Sequence, residues 1–229
     1  MAGGRGSRLW PLTKDVPKPM LEVQGRPILE HIISALREHG IFRIHMSVQH
    51  LRDVIVAHFG RGERFGVQIE YITERQPLGT AGSLSLFEEK PAHPLLVMNG
   101  DVLQQVNFDS LLSFHDRGNF QATMCCVRRN MELPFGVVEA QGNRLVGLTE
   151  KPTQVLNVNA GIYVLNPGVL DLLERNEACD MTQLLSRLLE RQKPVGIFTL
   201  LSHEGWLDIG QRDDYEYARN GYNADGHVG

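Results

Sequence analysis

Met1-Ala-Gly-Gly-Arg-Gly-Ser-Arg-Leu-Trp-Pro-Leu-Thr-Lys-Asp-Val-Pro-Lys-Pro-Met-Leu-Glu22 opens the chain. Gly3, Gly4 and Gly6 carry no Cβ, so backbone N–H groups can turn toward a polyphosphate and approach it closely. Arg8 and Lys18 bring positive charge into the same stretch. A glycine-rich loop alone is a weak signal, shared by flexible termini and dinucleotide fingerprints. A dinucleotide site needs a strand before the loop and a helix opening directly from it, whereas Pro11, Pro17 and Pro19 keep this segment irregular. No Gly-Lys-Ser/Thr ending follows, which excludes a Walker loop. Such loops usually hang from a strand, and here almost none precedes it. A first sheet strand is therefore expected ahead of residue 1, with room for an upstream domain.

Downstream, strand-length apolar runs alternate with amphipathic helical ones: Arg43 to Val48 then Leu51 to Phe59, Val67 to Ile72 then Thr80 to Glu88, Pro94 to Met98 then Phe108 to His115. That alternation predicts an α/β fold, a mainly parallel sheet wrapped by helices, with ligands at the strands' carboxyl ends. From Gln121 the pattern turns to short β segments: Gln121 to Val127, Phe135 to Ala140, Arg144 to Leu148 and Val155 to Leu165. Gln141-Gly142-Asn143 reads as a turn, and together these predict an antiparallel or mixed extension beside the first sheet. Helical stretches at Pro167 to Glu174 and Met181 to Arg191, a strand at Val195 to Leu200 and a helix at Gln211 to Asn220 complete the pattern. With 229 residues and no repeat or linker, one domain over 1–229 is the simplest division.

A formal net charge of −4 argues against a nucleic-acid binder, so any phosphate site must be local. Three cysteines suggest no disulfide framework, and the adjacent Cys125 and Cys126 would face opposite sides of a strand. A reducing cytoplasm is expected. No apolar run approaches the ~18 residues of a membrane helix, so no membrane partner is expected. The nine histidines show no metal-ligand spacing, and no serine lies in a nucleophile elbow, so they read as bystanders.

Further segments can carry chemistry. In Arg75-Gln-Pro-Leu-Gly-Thr-Ala-Gly82, Gly79 opens a helix whose first N–H groups are free, and Thr80 could simply cap it. Asn99-Gly-Asp-Val102 ends an apolar strand on a carboxylate, where an α/β sheet presents a metal ligand to its crevice. A second carboxylate, Asp208, lies in Gly205-Trp-Leu-Asp-Ile-Gly210. Between them come Pro-Phe-Gly-Val-Val-Glu139, Thr-Glu-Lys-Pro152 and Asn-Val-Asn-Ala-Gly161.

From Ala2 to about Tyr217 these motifs resemble the sugar-nucleotide pyrophosphorylase (nucleotidyltransferase) family, whose signature is Gly-Gly-x-Gly-Ser/Thr-Arg-Leu followed by Pro-Lys-Pro. The Leu-Gly-Thr-Ala-Gly element is similar to that of guanylyltransferases acting on mannose-type sugar phosphates. The resemblance implies a Rossmann-like, GT-A-like fold and transfer of a nucleotidyl group from a nucleoside triphosphate to a sugar 1-phosphate. It implies that Ala2, Gly3, Gly4, Gly6 and Ser7 cradle the nucleotide, and that Arg8 and Lys18 meet its phosphates. Gln76, Gly79 and Thr80 are implied to read the base, and Asp101 and Asp208 to hold Mg²⁺, which accepts one or two carboxylates with phosphate and water. Gly136, Glu150, Lys151, Asn159 and Gly161 are implied to meet the sugar phosphate. Glu150 can accept from vicinal hydroxyls, and Lys151 can balance phosphate charge. Family members often carry Tyr where this chain has Phe135, so one hydroxyl of that contact is missing. GTP with a mannose- or glucosamine-type phosphate is the leading expectation. A noncatalytic NDP-sugar-binding subunit and a UTP- or dTTP-dependent transferase are the alternatives, and a homo-oligomer is left open.

Overall fold

The computed structural model of the chain describes residues 1–4, 6–201 and 205–221. Strand Arg43–Val48 leads into helix Arg52–Phe59 and strand Gln68–Thr73, and the two strands pair in parallel from Arg43↔Gln68 to Val48↔Thr73. This is the ladder that a helical crossover permits. A second sheet has four strands in the order Val195–Thr199, Ala122–Glu132, Thr153–Leu165, Leu95–Met98. Its first pairing is parallel and the other two are antiparallel. The fold is thus α/β as predicted, and its four-stranded sheet is mixed because Thr153–Leu165, one of the β segments after Gln121, makes both antiparallel pairings.

Helix packing follows side-chain spacing. Helix Ile28–Glu38 buries Ile28, Leu29, Ile32, Ile33 and Leu36, a stripe along one face. Helix Phe108–Arg117 starts at Asn107, whose side chain accepts from Ser110 N at 2.8 Å, and buries Phe108 and Leu111. These residues share one apolar cluster with Ile162 and Val164. Tyr163 and Leu165, alternating with them along the same strand, join a second cluster with Leu184, Leu185 and Leu188 of helix Met181–Glu190. Period-two alternation thus feeds a core on each face of the four-stranded sheet.

Several expected elements are shaped differently. The helix expected from Thr80 to Glu88 is helix Gly79–Gly82 followed by a 3₁₀ turn, Ser83–Leu86. Ser85 Oγ donates to Gly82 O at 2.7 Å, a local bond that competes with continued α-helix. Pro167 to Glu174 is likewise a 3₁₀ stretch, Pro167–Leu172. The three cysteines are buried free thiols. Among the described residues, no helix is long and apolar enough to cross a membrane.

Beyond the sheet, Ala122–Glu132 and Thr153–Leu165 continue outward as an exposed arm, with hairpin Val137–Gln141 and Arg144–Thr149 between them. Gly142 sits at the hairpin tip with φ +60°. At the arm's root the ladder is irregular between Asn159 and Tyr163. Gly161 there has φ +72°, and a Cβ on it would lie 2.6 Å from Asn99 Nδ2. Gly161→Ala therefore combines backbone strain with a steric clash. Chemical denaturation should show a loss of about 1–3 kcal/mol, and an unchanged midpoint would contradict the tight root.

Candidate functional site

The opening loop is shaped by a few contacts. Gly6 has φ +61°, and a Cβ there would meet Thr13 Cγ2 at 2.9 Å. Buried Thr13 donates from its hydroxyl to Gly6 O at 2.8 Å, folding the loop onto itself. The 3₁₀ turn Ser7–Leu9 then anchors Leu9 in the core and leaves Arg8 exposed. Pro17, extended, directs the chain into the 3₁₀ turn Lys18–Met20, and Lys18 is only 8% exposed.

What neutralises this buried ammonium is a pair of aspartates from distant parts of the chain. Lys18 Nζ donates to Asp101 Oδ2 and lies 3.9 Å from Asp208 Oδ1. The two carboxylates are brought side by side by antiparallel strands Val102–Gln104 and Trp206–Asp208, in the register Asp208↔Val102. Ile209 N donates to Asp101 O at 3.3 Å, and Trp206 Nε1 to Ala160 O at 2.9 Å, fixing the second strand. Three-residue strands are too short to leave a periodic signal in the sequence, so this pairing was not anticipated. Burial pushes the Asp208 carboxyl above the usual aspartate range, Asp101's charge adds to the rise, and Lys18 and Arg8 oppose it.

Ala2, Gly4, Gly6, Ser7, Arg8, Lys18 and Asp101 line one cavity of about 200 Å³. Gly3 lies behind it: a Cβ there would be 3.2 Å from Glu74 Oε1. Glu74, which the sequence reading passed over, is 8% exposed, and its Oε2 accepts from Leu78 N at 3.1 Å. Burial raises its pKa, and the Leu78 N–H partly offsets the rise. One carboxylate thus packs under Gly3 while it holds Leu78 of the Arg75 to Gly82 loop. A lone Glu at a strand end gave no cue to this role.

Gln76, Gly79 and Thr80 face the segment before helix Met181–Glu190. Gln76 Nε2 donates to Asn176 O at 3.0 Å, and Thr80 N donates to Asp180 Oδ1 at 3.2 Å. The Thr80 hydroxyl does not cap its own helix; it accepts from Met181 N at 2.7 Å. Gly79, at φ +74°, would clash through a Cβ with Asp180 Oδ1 at 2.7 Å.

The residues implied for the sugar phosphate divide into two groups. Asn159 and Gly161 sit at the arm's root, next to the strand that leads to Asp101. Asn159 Oδ1 accepts from Gly161 N at 3.0 Å, and its Nδ2 donates to Tyr163 Oη at 2.7 Å. Gly136, Glu150 and Lys151 are exposed on the arm itself. A Cβ on Gly136 would meet Glu150 Oε2 at 2.9 Å, so those two are neighbours, and Lys151 has φ +44°. Phe135 is 73% exposed beside them. Among the described residues, no group of three or more His, Cys, Asp or Glu converges as a metal site. His203 and His227 lie outside the described residues.

This arrangement can be compared with known proteins. The nucleotidyl transferase family matches residues 1–225. The chain belongs to that family. Among similar members, "Mannose-1-phosphate guanyltransferase 2" of Candida glabrata is 35% identical over 225 residues, covering 94% of this chain and 61% of the relative. "Mannose-1-phosphate guanyltransferase" of Saccharomyces cerevisiae is also 35% identical, with the same shares covered. This nucleotidyl transferase chain therefore spans about three fifths of the length of the curated relatives it matches. Among solved structures, HddC from Yersinia pseudotuberculosis complexed with GMP-PN superimposes with a TM-score of 0.71 at 23% identity, covering 95% of each chain. UDP-glucose pyrophosphorylase complexed with UDP-glucose gives a TM-score of 0.70 at 18% identity, over 96% of this chain and 95% of that one. At such identities these likenesses establish the fold.

The Asp208 shift has a measurable consequence. Its folded form binds a proton more tightly than the unfolded chain does. Stability therefore falls as pH rises from the ordinary aspartate pKa, about 3.9, through the higher folded value, and stays lowered above it. Asp208→Asn removes that penalty. In metal-free buffer the variant should melt higher than the parent near neutral pH, and the gain should vanish below the ordinary aspartate pKa. A variant that melts lower at neutral pH would refute this account of the site.

Proposed function

We propose that this nucleotidyl transferase chain is a single catalytic domain joining a nucleoside triphosphate, GTP foremost, to a sugar 1-phosphate of mannose or glucosamine type. The products are an NDP-sugar and pyrophosphate, and the proposed setting is the cytoplasm. The observation that carries the reading is Lys18, held between Asp101 and Asp208 at the floor of the glycine-loop cavity. The names of the similar guanyltransferases support GTP and mannose 1-phosphate as first candidates.

The reaction is attack by a sugar-phosphate oxygen on the α-phosphorus, with pyrophosphate leaving in line. A phosphate monoester has its second pKa near ~6 and is already largely dianionic at neutral pH, so no general base is needed. The barrier is the meeting of two anions while charge grows on the leaving group. The glycine-loop N–H groups hold the triphosphate chain, and Arg8 and Lys18 set positive charge against it before reaction begins. Glu150 and Lys151 orient the sugar phosphate from the arm. Asp101 and Asp208 suit Mg²⁺: two neighbouring oxygen donors, the Asp208 pKa lifted first by burial and then by the charge of Asp101, match an ion that completes its shell with phosphate and water. When bound there, the ion supplies charge that steadies the α-phosphoryl oxygens.

The test is pyrophosphate release with Mg²⁺, offering GTP, UTP, dTTP, CTP and ATP against mannose, glucose and glucosamine 1-phosphates. GTP with mannose 1-phosphate should be fastest, and Asp101→Asn or Asp208→Asn should lower turnover by about 10²-fold or more. A pyrimidine preference would overturn the base assignment. No release from any pair, in a folded sample that binds NDP-sugar, would overturn the transferase reading.

A further inference from the structure

Helix Gly79–Gly82 and helix Met181–Glu190 begin against each other although a hundred residues separate them, and each opening is capped by the other. Thr80 N, in the first turn of one, donates to Asp180 Oδ1 at 3.2 Å. Met181 N, the first N–H of the other, donates to the Thr80 hydroxyl at 2.7 Å. Helix openings ordinarily find such partners beside themselves in the chain. A cap exchanged over this separation fixes the two openings to one another. Asp180 is also the first member of a capping box with Gln183, its N donating to Gln183 Oε1 at 2.9 Å.

The backbone around the exchange is closed. Ala81 N and Gly82 N both donate to Cys179 O, at 2.9 and 3.0 Å, and Cys179 N donates to Leu78 O at 2.9 Å. Leu78 N is taken by Glu74 Oε2, and Pro77 has no N–H. From Pro77 to Gly82, among the described residues, Gly79 N is the donor left without a partner. The packing beside it is tight. A Cβ on Gly79 would lie 2.7 Å from Asp180 Oδ1 and 2.8 Å from Cys179 O, and one on Gly82 would lie 2.6 Å from Glu177 O. A helix opening whose N–H groups looked free in the sequence therefore offers one, in one direction.

We propose, on the nucleotidyl-transfer reading above, that Asp180 is a positioning residue for base selection: by engaging Thr80 N it holds Gly79 N as a single, aimed donor toward the nucleotide base. Asp180 touches neither the base nor the reacting phosphates in this role. Guanine carries an acceptor, O6, where adenine carries the N6 amino donor, so one fixed N–H favours the first and rejects the second. With Thr80 N released, two adjacent donors could swing to suit acceptors placed differently on different bases. A site discriminates through the hydrogen bonds that a wrong partner leaves unmade, which requires donors that cannot adjust.

The experiment follows pyrophosphate release with Mg²⁺ and mannose 1-phosphate, offering GTP, UTP, dTTP, CTP and ATP to the parent, Asp180→Ser and Asp180→Asn, with thermal melting alongside. Serine caps a helix as well as aspartate does, but its hydroxyl ends one atom short of the carboxylate oxygen. Asparagine keeps an oxygen at the same reach. In Asp180→Ser the KM for the preferred triphosphate should rise, and its kcat/KM advantage over ATP should fall, each by about 5-fold, the scale of one hydrogen bond. Its kcat and its KM for mannose 1-phosphate should stay within about twofold of the parent's. Asp180→Asn should keep the parent's base preference and KM to within about twofold. Asp180→Thr, a second short capping residue, gives the same reading should the serine variant not fold. A short-capped variant with the parent's KM and base preference would overturn the role, because a residue that only caps its helix is replaced by serine without loss. So would a fall in kcat and melting temperature that leaves the base preference intact. A parent that releases no pyrophosphate from any pair sinks the transferase reading and this role together, whereas an active parent beside an unchanged Asp180→Ser sinks this role alone.

Discussion

A lysine ammonium with little access to water must be neutralised, and here two aspartates more than a hundred residues apart do it together. Lys18 reaches both carboxylates from a turn set by the prolines beside it. The carboxylates are side by side because Trp206–Asp208 is zipped antiparallel onto Val102–Gln104. Removing Asp101, the hydrogen-bonded partner, would leave the buried ammonium without its nearest counter-charge, and breaking a buried pair in this way typically costs about 3–5 kcal/mol. The opening loop, the crevice strand and the late strand are therefore mutually dependent, and the glycine loop inherits its position from that triad.

The fold was largely legible in the sequence because its signals are local. Apolar runs of strand length, amphipathic spacing and the Gln141-Gly142-Asn143 turn each correspond to an element in the structure. Illegible features were those decided by partners distant in sequence. The Thr80 hydroxyl, readable as a cap for its own helix, is taken by Met181 N, a hundred residues on. Where a continued helix was expected, Ser83–Leu86 is a 3₁₀ stretch in which Ser85 Oγ donates to Gly82 O. The short pairing that sets Asp208 against Asp101 leaves no period to detect.

The candidate site shows the same division. Gly6, Arg8, Lys18 and Asp101 were readable as residue types, since a phosphate site needs bare backbone, cations and a metal carboxylate. Glu74 was not, because its meaning comes from where its two oxygens point: one toward Gly3 and one to Leu78 N. Asn159 was expected to meet the sugar phosphate through its side-chain amide. Both ends of that amide are engaged within the arm's root, so its first task is to hold the backbone that presents Gly161.

The irregular ladder at that root has a bearing on how the arm and the core are connected. Between the pairs Asn159↔Cys126 and Tyr163↔Met124, three residues on one strand face a single residue on the other. The excess is even, so inward and outward positions keep their parity through the bend, and Asn159 and Tyr163 share a side close enough to hydrogen-bond. An arm attached through an odd excess would turn its inner surface out. The phase of the buried ladder is thereby carried unbroken into the exposed halves of Ala122–Glu132 and Thr153–Leu165, and the core dictates which arm residues share a face with Tyr163.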